Sequence, residues 1–197
     1  MLITIILLVI NVAVYLLLEL IGDTESANFM LRMGGMYPYY VIEGKQYWRF
    51  ITAMFLHYGF DHLLNNMVML GAAGRILEPA LGKVKFLLLY LLAGIGGGIL
   101  SCWNMVHTGD YAVSAGASGA IFGIVGALLW VVIRHKGRYK TLTKRGLLIM
   151  IALCLYYGIT TANVDNWGHI GGLLSGFAIC ILLYRKPQEK KQKLWEY

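Results

Sequence analysis

Long apolar runs dominate the chain, and polar residues gather between them or at one end of a few of them. Residues 2–21, 60–77, 86–103, 115–133, 146–162 and 167–184 form six such runs. Each approaches the roughly 20 helical residues that cross a hydrocarbon core about 30 Å thick, so each is predicted to be a membrane-spanning helix. The second is the weakest, because Asp61, His62, Asn65 and Asn66 interrupt its start. The first resembles a signal peptide in position only: it lacks a basic leading region and a small-x-small cleavage site, and its apolar stretch is long. The expected architecture is all-α, a polytopic membrane protein whose residues 1–197 form one six-helix bundle. An external loop would occupy 22–59 and a cytoplasmic basic tail 185–197. No repeat and no soluble domain at either end is expected.

Composition agrees with this pattern. Of the 197 residues 58% are hydrophobic and 14% charged, whereas a soluble domain carries about 25% charged residues. The net charge of +7 could suggest nucleic acid, but its distribution gives a better account. Fourteen of the 17 Lys and Arg lie at the inner end of the second run (Arg75) or after it, after the fourth run, or in the tail. Such an excess marks cytoplasmic segments, so both termini are expected on that side, with the lipid bilayer and not nucleic acid as the partner. The 22–59 loop carries Tyr37, Tyr39, Tyr40, Tyr47 and Trp48, as a segment seeking the interface would. Cys102, Cys154 and Cys180 lie in apolar runs without motif spacing and read as buried small hydrophobes.

Polar groups inside a membrane helix are expensive and each needs a reason. The fourth run holds Ser118 in Gly116-Ala117-Ser118-Gly119, the sixth holds His169 after Gly168, and the second has His57, His62 and Asn66 at or near its outer end. Sixteen residues separate Ser118 from Arg134, His169 from Arg185, and His62 from Glu78. At 1.5 Å per residue, all three sit about 24 Å above the inner boundary. Gly119 and Gly123, and Gly168, Gly172 and Gly176, are spaced four apart, a pattern that lets helices approach closely. The fourth and sixth helices could then bring Ser118 within reach of His169, as an activated nucleophile requires. Free N–H groups at a helix start can stabilise an oxyanion, and His62 and Asn66 offer donors on one helical face.

Each feature alone has a plainer explanation. Gly-x-Ser-Gly is common at helix contacts, a single intramembrane His usually packs or relays a proton, and Asn66 alone reads as interhelical glue. Glu78 reads as a helix-end anchor beside Arg75. Their meeting at one depth is what points to chemistry.

At this point the chain resembles the rhomboid family over almost its whole length. Trp48-Arg49, then His57 through His62 to Asn66, resembles the family's first-loop pair and its H-x4-H-x3-N signature. Gly116-Ala117-Ser118-Gly119 resembles the nucleophile motif, and Gly168-His169-Ile170-Gly171-Gly172 the base-bearing last helix. The resemblance implies a rhomboid-like six-helix bundle with a Ser118–His169 dyad and no acidic third member. It also implies an oxyanion site of His62, Asn66 and the Ser118 backbone N–H. Gly116 would lie beside that site, Phe122 would stack on the base, and His57 would be structural, with Gly119 and Gly172 supporting the helix contact.

The expected function is an intramembrane serine endopeptidase that cleaves transmembrane segments of other membrane proteins and uses no cofactor or metal. Substrates would need lateral access, for which the fifth helix is the candidate mobile element. A bacterial plasma membrane is the expected location. A catalytically silent helix-binding relative would lack the serine or the histidine, and both are present. A transporter would carry polar residues through the full membrane depth. A metalloprotease built on His57, His62 and His169 lacks H-E-x-x-H and a carboxylate partner.

Overall fold

A computed structural model of the chain describes residues 1–161 and 164–186. In chain order the helices are α1 (Leu2–Ile21), the short α2 (Ala27–Arg32), α3 (Pro38–Ile42) and α4 (Arg49–Thr52), then α5 (Gly59–Leu81), α6 (Lys83–Thr108), α7 (Ser118–Arg134), α8 (Lys144–Thr160) and α9 (Asn166–Leu183). A two-residue hairpin, Arg138–Tyr139 with Leu142–Thr143, precedes α8. The six long helices correspond to the six apolar runs and make a polytopic membrane bundle. The expected end of the fifth run at Ala162, and Lys190, Lys191 and Lys193 of the tail, lie outside the described residues.

Three helices, α1, α6 and α9, are long and apolar enough to cross a membrane on length and composition alone. The α7 helix has 17 residues, about 26 Å of rise. It is apolar all round because it is the centre of the bundle: Ala120, Ile124, Ala127, Val131 and Val132 have no exposure. By contrast, α1 turns Ile5, Val9, Leu16, Leu17 and Leu20 outward, a face suited to lipid rather than water.

Glycines set the spacing at the centre. A Cβ on Gly172 would overlap the Gly119 carbonyl, and one on Gly176 would overlap that of Gly123. The expected groove between the fourth and sixth runs is therefore present, and a third helix shares it. A Cβ on Gly97 of α6 would lie 2.6 Å from the Gly168 oxygen, and one on Gly171 would lie 2.8 Å from the Gly96 oxygen. Small residues that let backbones touch are how helices associate where lipid removes the hydrophobic drive.

Glu78 does more than anchor a helix end beside Arg75. It is 2% exposed and reaches the start of α1, accepting from Ile3 N–H at 3.0 Å, Thr4 N–H at 2.8 Å and the Thr4 hydroxyl at 2.7 Å. A carboxylate there satisfies orphan amides and complements the helix dipole.

The 22–59 loop is folded, not open. Arg49 is buried within it, donating to the carbonyls of Leu31 (2.8 Å) and Gly35 (2.7 Å) and to the Gln46 side chain (2.7 Å). This loop reaches across to the segment leading into α7. Met36 and Ser114 exchange backbone bonds of 2.9 Å, and Gly116 N–H donates to Ala53 O at 2.9 Å. Those bonds hold residues 114–116 extended, so α7 begins at Ser118 and not at Ala115 as the apolar run suggested.

Candidate active site

Ser118 is the first residue of α7, preceded by Ala117, which is wholly buried and gives the helix no side-chain cap. Alanine is a poor residue for that position, by about 1 kcal/mol against Ser or Asp, and it leaves the first N–H groups of the helix without acceptors. A buried, uncapped helix start is unusual unless something else is to bind there. Just before it, Gly116 has φ +138°, a conformation that L side chains rarely adopt. A Cβ on Gly116 would also lie 2.8 Å from His62 Cε1, 2.9 Å from its Nε2 and 3.6 Å from Ser118 Oγ. Gly116 thus leaves open the space that His62 and Ser118 share.

The α5 helix supplies the polar side of this space. His62 accepts from Tyr58 N–H at Nδ1 (3.4 Å), which leaves Nε2 as the ring's donor toward Gly116. One turn on, Asn66 is buried, and its Nδ2 has no hydrogen-bond partner. Asn66 and Ser118 line one cavity of about 100 Å³, with Met69, Ile121, Phe122, Val125 and, from α8, Met150, Ile151 and Cys154. A buried amide donor without an acceptor costs about 1–3 kcal/mol, so its presence on a residue that lines a cavity with Ser118 requires a reason.

His57 sits behind this wall. Its ring meets His62 edge-on at 5.2 Å, and its Nε2 accepts from Ala117 N–H at 3.4 Å. Burial, with His62 adding to it, pushes the His57 imidazole down to about 3, so the ring is neutral at ordinary pH and free to accept. It touches the residue before Ser118 rather than the cavity.

His169 lies in the first turn of α9. Its ring stacks on Phe122, centroids 4.3 Å apart and planes 6° from parallel. Phe122 is one turn along α7 from Ser118, so His169 is set against the face of α7 that bears the serine. The neighbouring residues meet as well, since a Cβ on Gly119 would be 3.4 Å from Gly168 O. Ser118 and His169 make no direct hydrogen bond, and His169 Nδ1 has no partner. Such bonds are often long in a resting enzyme and tighten when substrate binds.

Three residues around this site carried no motif. Asp165 Oδ1 accepts from Gly168 N–H (2.8 Å), and its Oδ2 accepts from the hydroxyls of Ser101 (2.5 Å) and Ser114 (2.7 Å). An Asp three residues before Gly168, ahead of an apolar run, is a helix N-cap signal; Ser101 and Ser114 offered none. Cys154, read as one of three buried small hydrophobes, is half-buried on the cavity wall, while Cys102 and Cys180 are buried.

Comparison with known proteins gives the family of the chain. The family model described as the Rhomboid domain matches residues 44–186. The chain is 35% identical over 167 residues to the rhomboid protease GluP of Bacillus subtilis (strain 168), covering 85% of this chain and 32% of that protein. It is 37% identical over 165 residues to the mitochondrial RHOMBOID-like protein 6 of Arabidopsis thaliana, covering 83% and 52%. With the rhomboid-like protease 1 of Toxoplasma gondii it shares 32% identity over 179 residues, covering 85% and 59%. The chain therefore spans between about a third and three fifths of these relatives' own lengths.

Proposed function

The chain belongs to the rhomboid family, and from that premise we propose that it is an intramembrane serine endopeptidase with Ser118 as nucleophile and His169 as general base. One observation carries the reading: the unpartnered Asn66 Nδ2 and Ser118 line the same cavity, at an uncapped helix start. Donors held ready for a charge that is absent at rest are what an oxyanion site needs. In the reaction His169 takes the Ser118 hydroxyl proton as Oγ attacks the scissile carbonyl. The oxyanion is held by the Ser118 N–H, Asn66 and His62. Collapse expels the amine with the proton from His169, and water then releases the acyl group by the same steps.

The substrates are transmembrane segments of other membrane proteins. They reach the cavity between α5 and α8, where Met150, Ile151 and Cys154 form the wall that has to move. The Lys and Arg excess around the inner ends of the second and fourth runs supports a cytoplasmic side for both termini, and our reading sets the protein in a bacterial plasma membrane. Purified protein in proteoliposomes with a model transmembrane substrate tests the reading. Ser118→Ala and His169→Ala should each abolish cleavage, the double variant should be no worse than either, and a serine-directed probe should label wild type with chelators present. Cleavage by Ser118→Ala at the wild-type rate would overturn it.

A further inference from the structure

The two sides of the site stand on separate helices, and among the described residues one carboxylate joins them. Asp165 Oδ1 caps α9 through Gly168 N–H, directly before His169. Its Oδ2 holds Ser114, four residues before Ser118, and Ser101 on α6. All three bonds are 2.8 Å or shorter, the range of charge-assisted hydrogen bonds. The contrast with α7 is informative: the helix bearing the serine starts uncapped, and the helix bearing the histidine has a full cap that also grips the segment leading to the serine.

Asp165 makes no side-chain bond to His169, whose Nδ1 is unpartnered. It is therefore not a third member of a relay. We infer that Asp165 is a positioning residue, whose carboxylate, through Ser114 and Gly168, fixes the distance between Ser118 and His169. This rests on the Ser118–His169 reading.

The mechanism has a specific signature. Losing the carboxylate removes the tie between Ser114 and the start of α9, while the segment stays bonded to Met36 and Ala53, so α9 with His169 shifts relative to the serine and the cavity walls on α5 and α8 are untouched. A misplacement of about 1 Å between reacting groups can lower rate about 100-fold. An asparagine should rescue: it caps helices about as well as Asp, and its amide can donate to both serine hydroxyls, which then accept.

The experiment measures kcat and KM for one model substrate, per monodisperse folded protein, in wild type, Asp165→Ala, Asp165→Asn and the double variant Ser101→Ala/Ser114→Ala. The expected result is a kcat loss of about 10- to 100-fold in Asp165→Ala with little change in KM, and recovery to within a few-fold in Asp165→Asn. The double serine variant should lose about tenfold in kcat, and it carries the test if Asp165→Ala does not fold. Wild-type kcat in Asp165→Ala or in the double serine variant would overturn the proposal, as would Asp165→Asn being no better than alanine. Failure of the dyad itself shows separately, as cleavage by Ser118→Ala.

Discussion

The Phe122 ring lies flat on the His169 imidazole, with centroids 4.3 Å apart, and on the proposed mechanism this stack stands where a hydrogen bond usually orients a catalytic histidine. In most such sites the second ring nitrogen is held by a carboxylate or carbonyl, yet here Nδ1 is buried without a partner. Ring orientation therefore rests on Phe122 and on the backbone of α9. Stacked aromatic pairs are worth about 0.5–1.5 kcal/mol beyond area burial, which corresponds to roughly two- to tenfold in rate. Phe122→Leu should lose that much kcat, and Phe122→Tyr should keep most of it. Equal turnover in Leu and wild type would show that the stack does not orient the base.

Asn66 gives a prediction in which activity and stability separate. Its Nδ2 is unpaired at rest, so Asn66→Ala removes a buried unsatisfied donor and should leave the thermal midpoint unchanged or raised. Its kcat should fall by roughly 10²–10³, the usual weight of one oxyanion donor. His62→Ala should lower kcat in the same direction. Wild-type turnover in both single variants and in the pair would remove these residues from the oxyanion site.

Acid should act on the protein in two distinguishable ways. The His57 imidazole is held down to about 3 by burial and by His62, against roughly 6.5 for an unfolded chain. Between those values the unfolded state binds the extra proton, so this contribution to stability is full above about pH 6.5 and is lost as pH falls toward 3. His57→Phe should abolish that part of the acid sensitivity in thermal melts. Activity should fall separately as His169 gains its proton, because only neutral imidazole accepts from Ser118. A cleavage rate constant down to about pH 4 in folded protein would argue against a histidine base.

The legible parts of the molecule were those with a local physical signature. Bilayer-length apolar runs give the six long helices, and four-residue glycine spacing gives the α7–α9 contact, because both depend on residues close in sequence. Phe122 stacked on His169, and His62 close to Gly116, are contacts between residues that the motif resemblance had singled out. What escaped depends on distant pairing. The start of α7 at Ser118 is set by Met36 and Ala53, from a loop 60 to 80 residues earlier. Glu78 finds its partners at residues 3 and 4, and Ser101 finds Asp165 across 64 positions. Nothing near those residues announces the partner.

Substrate choice should follow from the shape of the cavity and the physics of helices in lipid. An intact helix keeps its carbonyls inside its own hydrogen bonds, so a few residues must unwind before one can meet Ser118. In hydrocarbon each unpaired backbone group costs several kcal/mol. The unpaired donors at Asn66 and at the start of α7 can recover part of that cost, but only at the cavity itself. With about 100 Å³ available at rest between Ser118 and the α8 wall, a small residue before the scissile bond fits and a large one has to push α8 aside. Good substrates should therefore carry Gly, Pro or another helix-weakening residue near the outer end of their span, with a small residue at the cleavage position. One model substrate with Gly or Pro exchanged for Leu in that segment, assayed at matched membrane density, should be cut progressively more slowly. Ala-to-Phe exchange at the cleavage position should slow it further, and substitution of Met150 by Ala should partly restore the Phe substrate. Equal cleavage across the whole series would mean that neither unwinding nor the α8 wall selects the substrate.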